Sequence, residues 1–96
     1  MPGALARLTV SPNPFRDAVR IAAGPDDRIA ILDITGRVLY RGRARSSDGV
    51  ASWDGRDDAG RAAPPGLDLV RCDGRGGSTT RRIVRTSLAG TGARTN

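Results

Sequence analysis

The stretch that decides the fold is Trp53-Asp54-Gly55-Arg56-Asp57-Asp58-Ala59-Gly60-Arg61. Its tryptophan ends one short apolar segment, and a second apolar segment, Leu67 to Val70, begins after Pro65-Gly66. Glycine adopts positive φ without a steric penalty, and an aspartate side chain accepts hydrogen bonds from the backbone of its own turn. We therefore predict two antiparallel strands joined by a wide connection, in which the structural turn residues are Asp54, Gly55, Asp57, Gly60 and Gly66.

Short segments of alternating or apolar residues recur along the rest of the chain. They cover residues 5–10, 18–23, 28–34, 37–43, 50–53, 67–72 and 78–86. Clusters of Gly, Pro, Asp and Ser separate them, Gly36 permits a tight turn between the third and fourth, and apolar residues never recur at helical spacing. The prediction is an all-β chain: an immunoglobulin-like antiparallel β-sandwich of about seven short strands, with a small barrel as the alternative.

A chain of 96 residues forms one domain with a modest core. We place the sandwich at residues 4–86 and a flexible polar tail at residues 87–96. Aliphatic side chains and alanine must build most of the core, because the chain has only three aromatic residues. The large core anchors are expected to be Phe15, Tyr40 and Trp53.

The alternation also predicts how single side chains point. In the fourth segment it places Val38 and Tyr40 on one face and Leu39 on the other. Cys72 cannot form an intrachain disulfide, because it is the only cysteine, and is expected to be a small buried side chain.

The charge balance is strongly basic but uniform along the chain. All 16 basic residues are arginine, all 10 acidic residues are aspartate, and the formal net charge is +6. Such a charge can indicate a nucleic-acid or anionic-membrane partner. Here the arginines are interleaved with aspartates, as codon bias in a GC-rich genome would produce, and stacking aromatics are too few for a single-strand binder. The arginines that could align along strand edges are Arg37, Arg41, Arg43 and Arg45 in one hairpin and Arg81, Arg82 and Arg85 in the last strand.

The residue types argue against catalysis and metal binding. The chain has no histidine and no glutamate, so its serines and its cysteine lack a histidine base, and Asp54, Asp57 and Asp58 do not form an EF-hand loop. We expect no enzyme, no cofactor and no metal. No apolar run is long enough to cross a membrane, and no signal peptide is recognisable in this chain.

Five segments, in order and with matching spacing, carry a resemblance to a known family. They are Val10-Ser11-Pro12-Asn13-Pro14-Phe15, Ile31-Leu32-Asp33-Ile34-Thr35-Gly36-Arg37-Val38-Leu39, Trp53-Asp54-Gly55-Arg56-Asp57 with Gly60, Pro65-Gly66-Leu67 to Arg71, and Thr79 to Val84. Together they resemble the C-terminal sorting domains of the bacterial type IX secretion system, and they are equally similar to the Ig-like domain of flagellar hook-capping proteins. One departure is Asp68, where the family prefers tyrosine. We expect Asp68 to face solvent or to meet an arginine, because an unpaired buried carboxylate is costly.

The resemblance implies a non-catalytic module that a secretion machine recognises, so that a cargo on its N-terminal side is exported and attached to the cell surface. The partners are then a secretion-machinery protein and an upstream cargo domain, and the chain is part of a longer secreted or surface-exposed precursor. Recognition is expected at the basic last strand by strand addition, with contacts at Arg81, Arg82 and Arg85.

Two alternatives remain open at this point. The hook-capping likeness implies a structural scaffold domain that is not cleaved. A weaker alternative is an arginine-rich nucleic-acid binder, which would show salt-dependent binding to oligonucleotides. We expect a monomer without membrane insertion.

Overall fold

Two antiparallel sheets make up the structure, a computed structural model that describes residues 8–86. The seven strands are β1 (Thr9–Ser11), β2 (Val19–Ala22), β3 (Arg28–Asp33), β4 (Val38–Arg43), β5 (Val50–Trp53), β6 (Gly66–Gly74) and β7 (Gly77–Arg85). One sheet has the order β1-β2-β5 and the other the order β4-β3-β6-β7. Residues 8–86 contain no helix. The all-β sandwich of seven short strands predicted from the sequence is confirmed.

The core lies between the two sheets and follows the alternation of the strands. In β2 and β3 every second side chain is buried, whereas the intervening ones are exposed or half-buried. The largest side chains that are fully buried are Trp53, Phe15, Leu8, Ile21, Ile29, Ile31, Ile83, Val19 and Val70. Because β-branched side chains suit a pleated, half-buried surface, the scarcity of aromatic residues does not prevent a dense core.

The connections separate into the two ends of the sandwich. We define the closed end as the connections 12–18, 34–37 and 54–65, together with the last residues of β7. The opposite end consists of the connections 23–27, 44–49 and 75–76. The turn residues predicted from the sequence fall at the closed end, except Gly66, which is the first residue of β6 directly beside it.

The structure corrects the expected alternation in β4. The β3–β4 register shifts between Ile31 and Leu32, so that Ile31 faces Tyr40 and Leu32 faces Val38, and Leu39 is the extra residue of a β-bulge. Leu39 is therefore buried, only 5% exposed, instead of pointing away from the core. Tyr40 is half-buried at the sheet edge, where its ring covers Gly42.

Two predictions extend beyond the described part of the chain. The first predicted strand, residues 5–10, begins outside residues 8–86, and the described β1 starts at Thr9. The predicted tail, residues 87–96, also lies outside the described residues.

Candidate functional site

The β3–β4 connection is a tight turn closed by one aspartate. The Asp33 Oδ1 atom accepts hydrogen bonds from the Thr35 N–H at 2.9 Å, from the Thr35 hydroxyl at 2.5 Å and from the Arg37 N–H at 3.0 Å. These hydrogen bonds, led by the one from the Thr35 hydroxyl, lower the pKa of Asp33. Gly36 has φ +92°, the left-handed conformation that follows the type I turn in a three-residue hairpin loop.

The β5–β6 connection contains a second turn of the same kind. The Asp57 Oδ1 atom accepts hydrogen bonds from the Ala59 N–H at 3.0 Å and the Arg61 N–H at 2.9 Å, and Gly60 has φ +84°. The hydrogen bond from the Arg61 N–H contributes most to lowering the pKa of Asp57. Just upstream, Asp54 accepts a hydrogen bond from the Arg56 N–H at 3.0 Å.

The two turns share a sequence signature that the sequence analysis missed. Both read Asp-x-x-Gly-Arg, at residues 33–37 and residues 57–61, and we refer to them as the first turn and the second turn. Their backbone hydrogen bonds match as well. In each, the aspartate N–H donates to the arginine carbonyl, at 2.9 and 2.8 Å, and the glycine N–H donates to the aspartate carbonyl at 2.9 Å. Two of the glycine-arginine pairs in the sequence, Gly36-Arg37 and Gly60-Arg61, have an aspartate three residues before the glycine, and comparing them would have revealed this repeat.

Trp53 joins the second turn to the core. Its indole Nε1 donates a hydrogen bond to the Arg56 carbonyl at 2.8 Å, and its ring contacts the ring of Phe15 at a centroid distance of 5.8 Å. The Asp58 N–H donates to the Leu39 carbonyl at 2.9 Å, which the β4 bulge turns toward this loop. The β5–β6 connection is therefore held against both sheets.

The proline-rich segment after β1 covers part of the outer edge of β7. The Asn13 side chain donates to the Arg82 carbonyl at 3.0 Å and accepts from the Val84 N–H at 2.9 Å. The Phe15 N–H donates to the Val84 carbonyl at 2.9 Å, and the Phe15 carbonyl accepts from the Thr86 N–H at 2.8 Å. Strand addition along this half of β7 would have to displace those bonds.

Asp68 does not face solvent, contrary to the sequence-based expectation. It lies opposite Asp33 on the core face of the β3–β6 pair, is 5% exposed, and its Oδ2 atom has no hydrogen-bond partner within residues 8–86. Burial and the charge of Asp33 raise its pKa to about 6. Arg85 lowers the pKa of Asp68 from nearby but forms no ion pair with it, because the Arg85 Nη1 atom donates to the Ala63 carbonyl. Arg85 therefore lies near Asp68 without being the ion-pair partner that the sequence analysis expected.

The three arginines singled out for partner recognition do not form one patch. Arg82 is exposed on the outer face of the four-stranded sheet, opposite Leu69. Arg81 and Arg85 lie on the other face of β7, where the Arg81 Nε atom donates to the Leu8 carbonyl at 3.0 Å and the half-buried Arg85 packs beneath Gly55. Gly55 has φ +81°, and a Cβ atom there would lie 2.7 Å from the Arg85 Nε atom, so a side chain at this position would be strained and would displace Arg85.

Turn glycines near the closed end also include Gly66, which starts β6 with φ +133°.

At the opposite end, a cleft of about 600 Å³ is lined by Cys72, Asp27 and the β6–β7 hairpin, among other residues. The Cys72 thiol donates to the Asp27 carboxylate at 3.3 Å, and burial raises the pKa of this thiol to about 12. It is therefore a weak nucleophile. Within residues 8–86, His, Cys, Asp and Glu form no group of three that could hold a metal ion.

These features define a small antiparallel β-sandwich whose motif residues close one end. No helix in residues 8–86 has the length and apolar character needed to cross a membrane. No protein-family model matches the sequence, and a search of the curated proteins finds no match.

Among solved structures, the chain is similar to a part of PorZ from Porphyromonas gingivalis, which is described as an essential bacterial surface component of the type IX secretion system. The TM-score is 0.70 and the identity 28%, over 82% of this chain and 11% of PorZ. The chain therefore spans a small fraction of that protein, and it is related to a domain found in the type IX secretion system.

Two further structures share the fold. Dimeric latent PorU from P. gingivalis has a TM-score of 0.63 at 23% identity, over 85% of this chain and 9% of PorU. CopC from Methylosinus trichosporium has a TM-score of 0.53 at 16% identity, over 85% of this chain and 94% of CopC.

Proposed function

We propose that this chain is a non-catalytic sorting module, recognised by a type IX secretion machine for export and surface attachment of a cargo on its N-terminal side. The observation that carries the proposal is the similarity in both fold and sequence to a domain of PorZ. Three of the segments that carry the resemblance meet at the closed end, which supports the proposal, since Asp33, Asp57 and Asn13 each make defined hydrogen bonds there.

The module acts through its surface and not through a reaction. The aspartates of the two turns are engaged by their own backbone, and the Cys72 thiol is protonated and buried. A sorting module needs a stable fold and a face that its partner can bind, and neither requirement involves a catalytic group. We propose that it functions as a monomer at the end of a longer secreted or surface-exposed precursor.

Export of a reporter tests this proposal. A fluorescent reporter that carries a secretory signal peptide would be fused ahead of residues 1–96 and expressed in a type IX-competent bacterium. We expect protease-accessible reporter at the cell surface, which is lost in an isogenic strain without the machine. Equal surface signal in both strains, or retention of the reporter inside the competent strain, would overturn the proposal.

A second candidate function is a scaffold domain of the machine itself. The supporting observation is that PorZ is described as a component of the secretion system, and this chain resembles one of its parts. In that case the fusion would remain uncleaved and would co-purify with the secretion complex, whereas the reporter would not be exported.

A further inference from the structure

The outer face of the four-stranded sheet has an apolar half and a basic half. The register and the alternation of burial identify the side chains on this face. Near the closed end they form an apolar zone of Leu32, Val38, Leu67, Leu69 and Val84.

The apolar zone is continuous across all four strands. Leu32 of β3 pairs with Val38 of β4 on one side and with Leu69 of β6 on the other. Leu67 pairs with Val84 of β7, and these two side chains are 41% and 39% exposed. Contiguous aliphatic side chains in solvent are typical of an interaction surface.

Toward the opposite end the same face carries an arginine zone of Arg28, Arg41, Arg43 and Arg71, all exposed. Arg28 lies directly opposite Arg43, an arrangement that is unfavourable within an isolated sheet. The only acidic side chain that this face presents within residues 28–85 is Asp73, whose Oδ1 atom lies 3.1 Å from the Arg71 Nε atom. Arg41 and Arg43 form no ion pair within residues 8–86, so a carboxylate from outside would be favourable beside them.

The three-stranded sheet shows a different outer face. Its exposed side chains include Thr9, Ser11, Arg20 and Ser52, which are all polar. Among residues 8–86, no leucine is exposed on this face. The combination of an apolar zone and an arginine zone is therefore a property of one sheet and not of the fold.

We propose that the outer face of the four-stranded sheet docks a partner protein whose surface has an apolar centre flanked on one side by aspartate or glutamate carboxylates. A second copy of this chain is disfavoured, because its own outer face would offer, within residues 28–85, a single carboxylate, that of Asp73, to the arginine zone. A nucleic acid would find no aromatic side chain for stacking on this face. The most exposed aliphatic side chain of the zone, that of Leu67, is only 41% exposed, which leaves little apolar surface for insertion into lipid.

This inference deepens the proposed function and rests on it, because it names the surface that a secretion-machinery partner would bind. The proposal differs from strand addition at β7, since docking on a sheet face leaves the Asn13 and Phe15 hydrogen bonds intact. Of the three arginines on β7 that the sequence suggested, only Arg82 lies on this outer face, beside the apolar zone and opposite Leu69.

Binding to defined peptides tests the surface directly. Two amphipathic peptides of one pattern, leucine with glutamate and leucine with lysine, would be titrated into the isotope-labelled chain and followed by amide chemical shifts. We expect the leucine-glutamate peptide to shift residues of the outer face, and the double variant R41E/R43E to weaken its binding about tenfold. Equal binding of both peptides, no binding of either, or shifts confined to the three-stranded sheet would overturn the inference. So would shifts of this face by anionic phospholipid vesicles when neither peptide binds.

The export assay separates this inference from the proposed function. R41E/R43E and the double variant L67S/V84S are expected to reduce surface reporter about tenfold while the purified chains remain folded. R20E, which reverses a charge on the other outer face, should export like the wild type. If the wild-type fusion is exported and the face variants are exported equally well, the docking surface is wrong and the sorting function stands. If the wild-type fusion is not exported, the sorting function fails, and the peptide titration still decides whether the face binds.

Discussion

The first and second turns have the same signature and matching backbone hydrogen bonds, yet their surroundings differ. The second turn is tied to the core, because the Trp53 indole and the Leu39 carbonyl bind the backbone on either side of Asp57. The first turn projects from the sheet: its Ile34 side chain is 71% exposed, and the carboxylate of Asp33 repels that of buried Asp68. Local sequence thus determines the turn conformation, whereas the neighbours determine how much each turn stabilises the fold.

The largest effect is expected where the second turn meets the core. Trp53→Ala removes a fully buried ring and the hydrogen bond to the Arg56 carbonyl, so it should lower the free energy of unfolding by about 3–5 kcal/mol. Trp53→Phe keeps most of the ring packing and should cost less, about 1 kcal/mol for the lost hydrogen bond plus a packing term. Urea denaturation of both variants measures the difference. Equal destabilisation of the two variants would contradict this expectation, because it would mean that the indole hydrogen bond, and not the packing of the ring, is the main link between the core and the second turn.

The next effect concerns the carboxylate that faces the first turn. The pKa of Asp68 is raised from 3.8 to about 6, so between these two values the folded state holds more protons than the unfolded state. The free energy of unfolding contributed by this group is highest below about pH 4 and decreases by up to about 3 kcal/mol as the pH rises past 6. Asp68→Asn should stabilise the chain near pH 7 and remove that decrease. A pH series of urea denaturation curves measures it, and a variant less stable than the wild type at pH 7 would contradict the assigned cause.

The pH dependence of the turn aspartates has the opposite sign. Hydrogen bonds hold the pKa values of Asp33 and Asp57 below 3.8, so their contribution to stability is present above that value and is lost on acidification through the lowered pKa. The wild type should therefore have a stability maximum on the acidic side of neutrality.

Glycine substitutions test whether the two turns are locally equivalent. A Cβ atom at Gly36 or at Gly60 would meet no heavy atom within 4 Å, and both residues have positive φ. Only backbone strain changes, so Gly36→Ala and Gly60→Ala should each cost about 1–2 kcal/mol. Equal losses of stability, measured by thermal unfolding, would sharpen the comparison. A difference of more than about 1 kcal/mol between the two losses would show that the turns are not equivalent in conformation.

The smallest effect is the difference between the two aspartates. Asp57→Ala removes the acceptor of two turn N–H groups and should lower Tm by about 4–8 °C. Asp33→Ala removes the same kind of acceptor but also relieves the repulsion of Asp68, so its Tm should fall less at neutral pH. In the Asp68→Asn background the two losses should become more similar, although Asp33 also accepts a hydrogen bond from the Thr35 hydroxyl and Asp57 also lies 3.4 Å from the Arg61 Nε atom. Asp58→Ala is the matched control, because the exposed Asp58 side chain makes no hydrogen bond within residues 8–86; a difference between the two losses that is unchanged in that background would break the comparison.

Much of the fold could be predicted from the sequence, because turn residues and alternation act locally. The segments around Ile21, Ile31 and Val70 were placed in the correct strands, since period-two alternation needs no knowledge of the partner strand. The burial of Leu39 could not be predicted in this way, because a bulge depends on the register with β3. The burial of Asp68 was missed for a related reason. The cost of desolvating a carboxylate argues for exposure, but side chains alternate between the two faces of β6, and with Leu67 and Leu69 on the outer face Asp68 lies on the core face.

The candidate site was harder to predict because it depends on which residues meet across strands. Arg81, Arg82 and Arg85 are close in sequence, but alternation divides them between the two faces of β7. Conversely, the outer-face arginines come from three strands, and only the β4–β3–β6 order brings Arg41 near Arg71. A linear pattern can suggest that a strand is basic, but it cannot show which face of the sheet collects the charge.

We propose that a folded sandwich, closed at one end by the turns of Asp33 and Asp57, is the unit that a type IX secretion machine exports. The most direct measurement is the amount of reporter at the surface of type IX-competent cells for fusions to the wild type, to Asp58→Ala and to Trp53→Ala. We predict equal surface signal for the first two and a loss for Trp53→Ala that matches its unfolding in the purified chain. Wild-type surface signal from an unfolded Trp53→Ala module would contradict the claim, and so would a wild-type fusion that stays inside the cell.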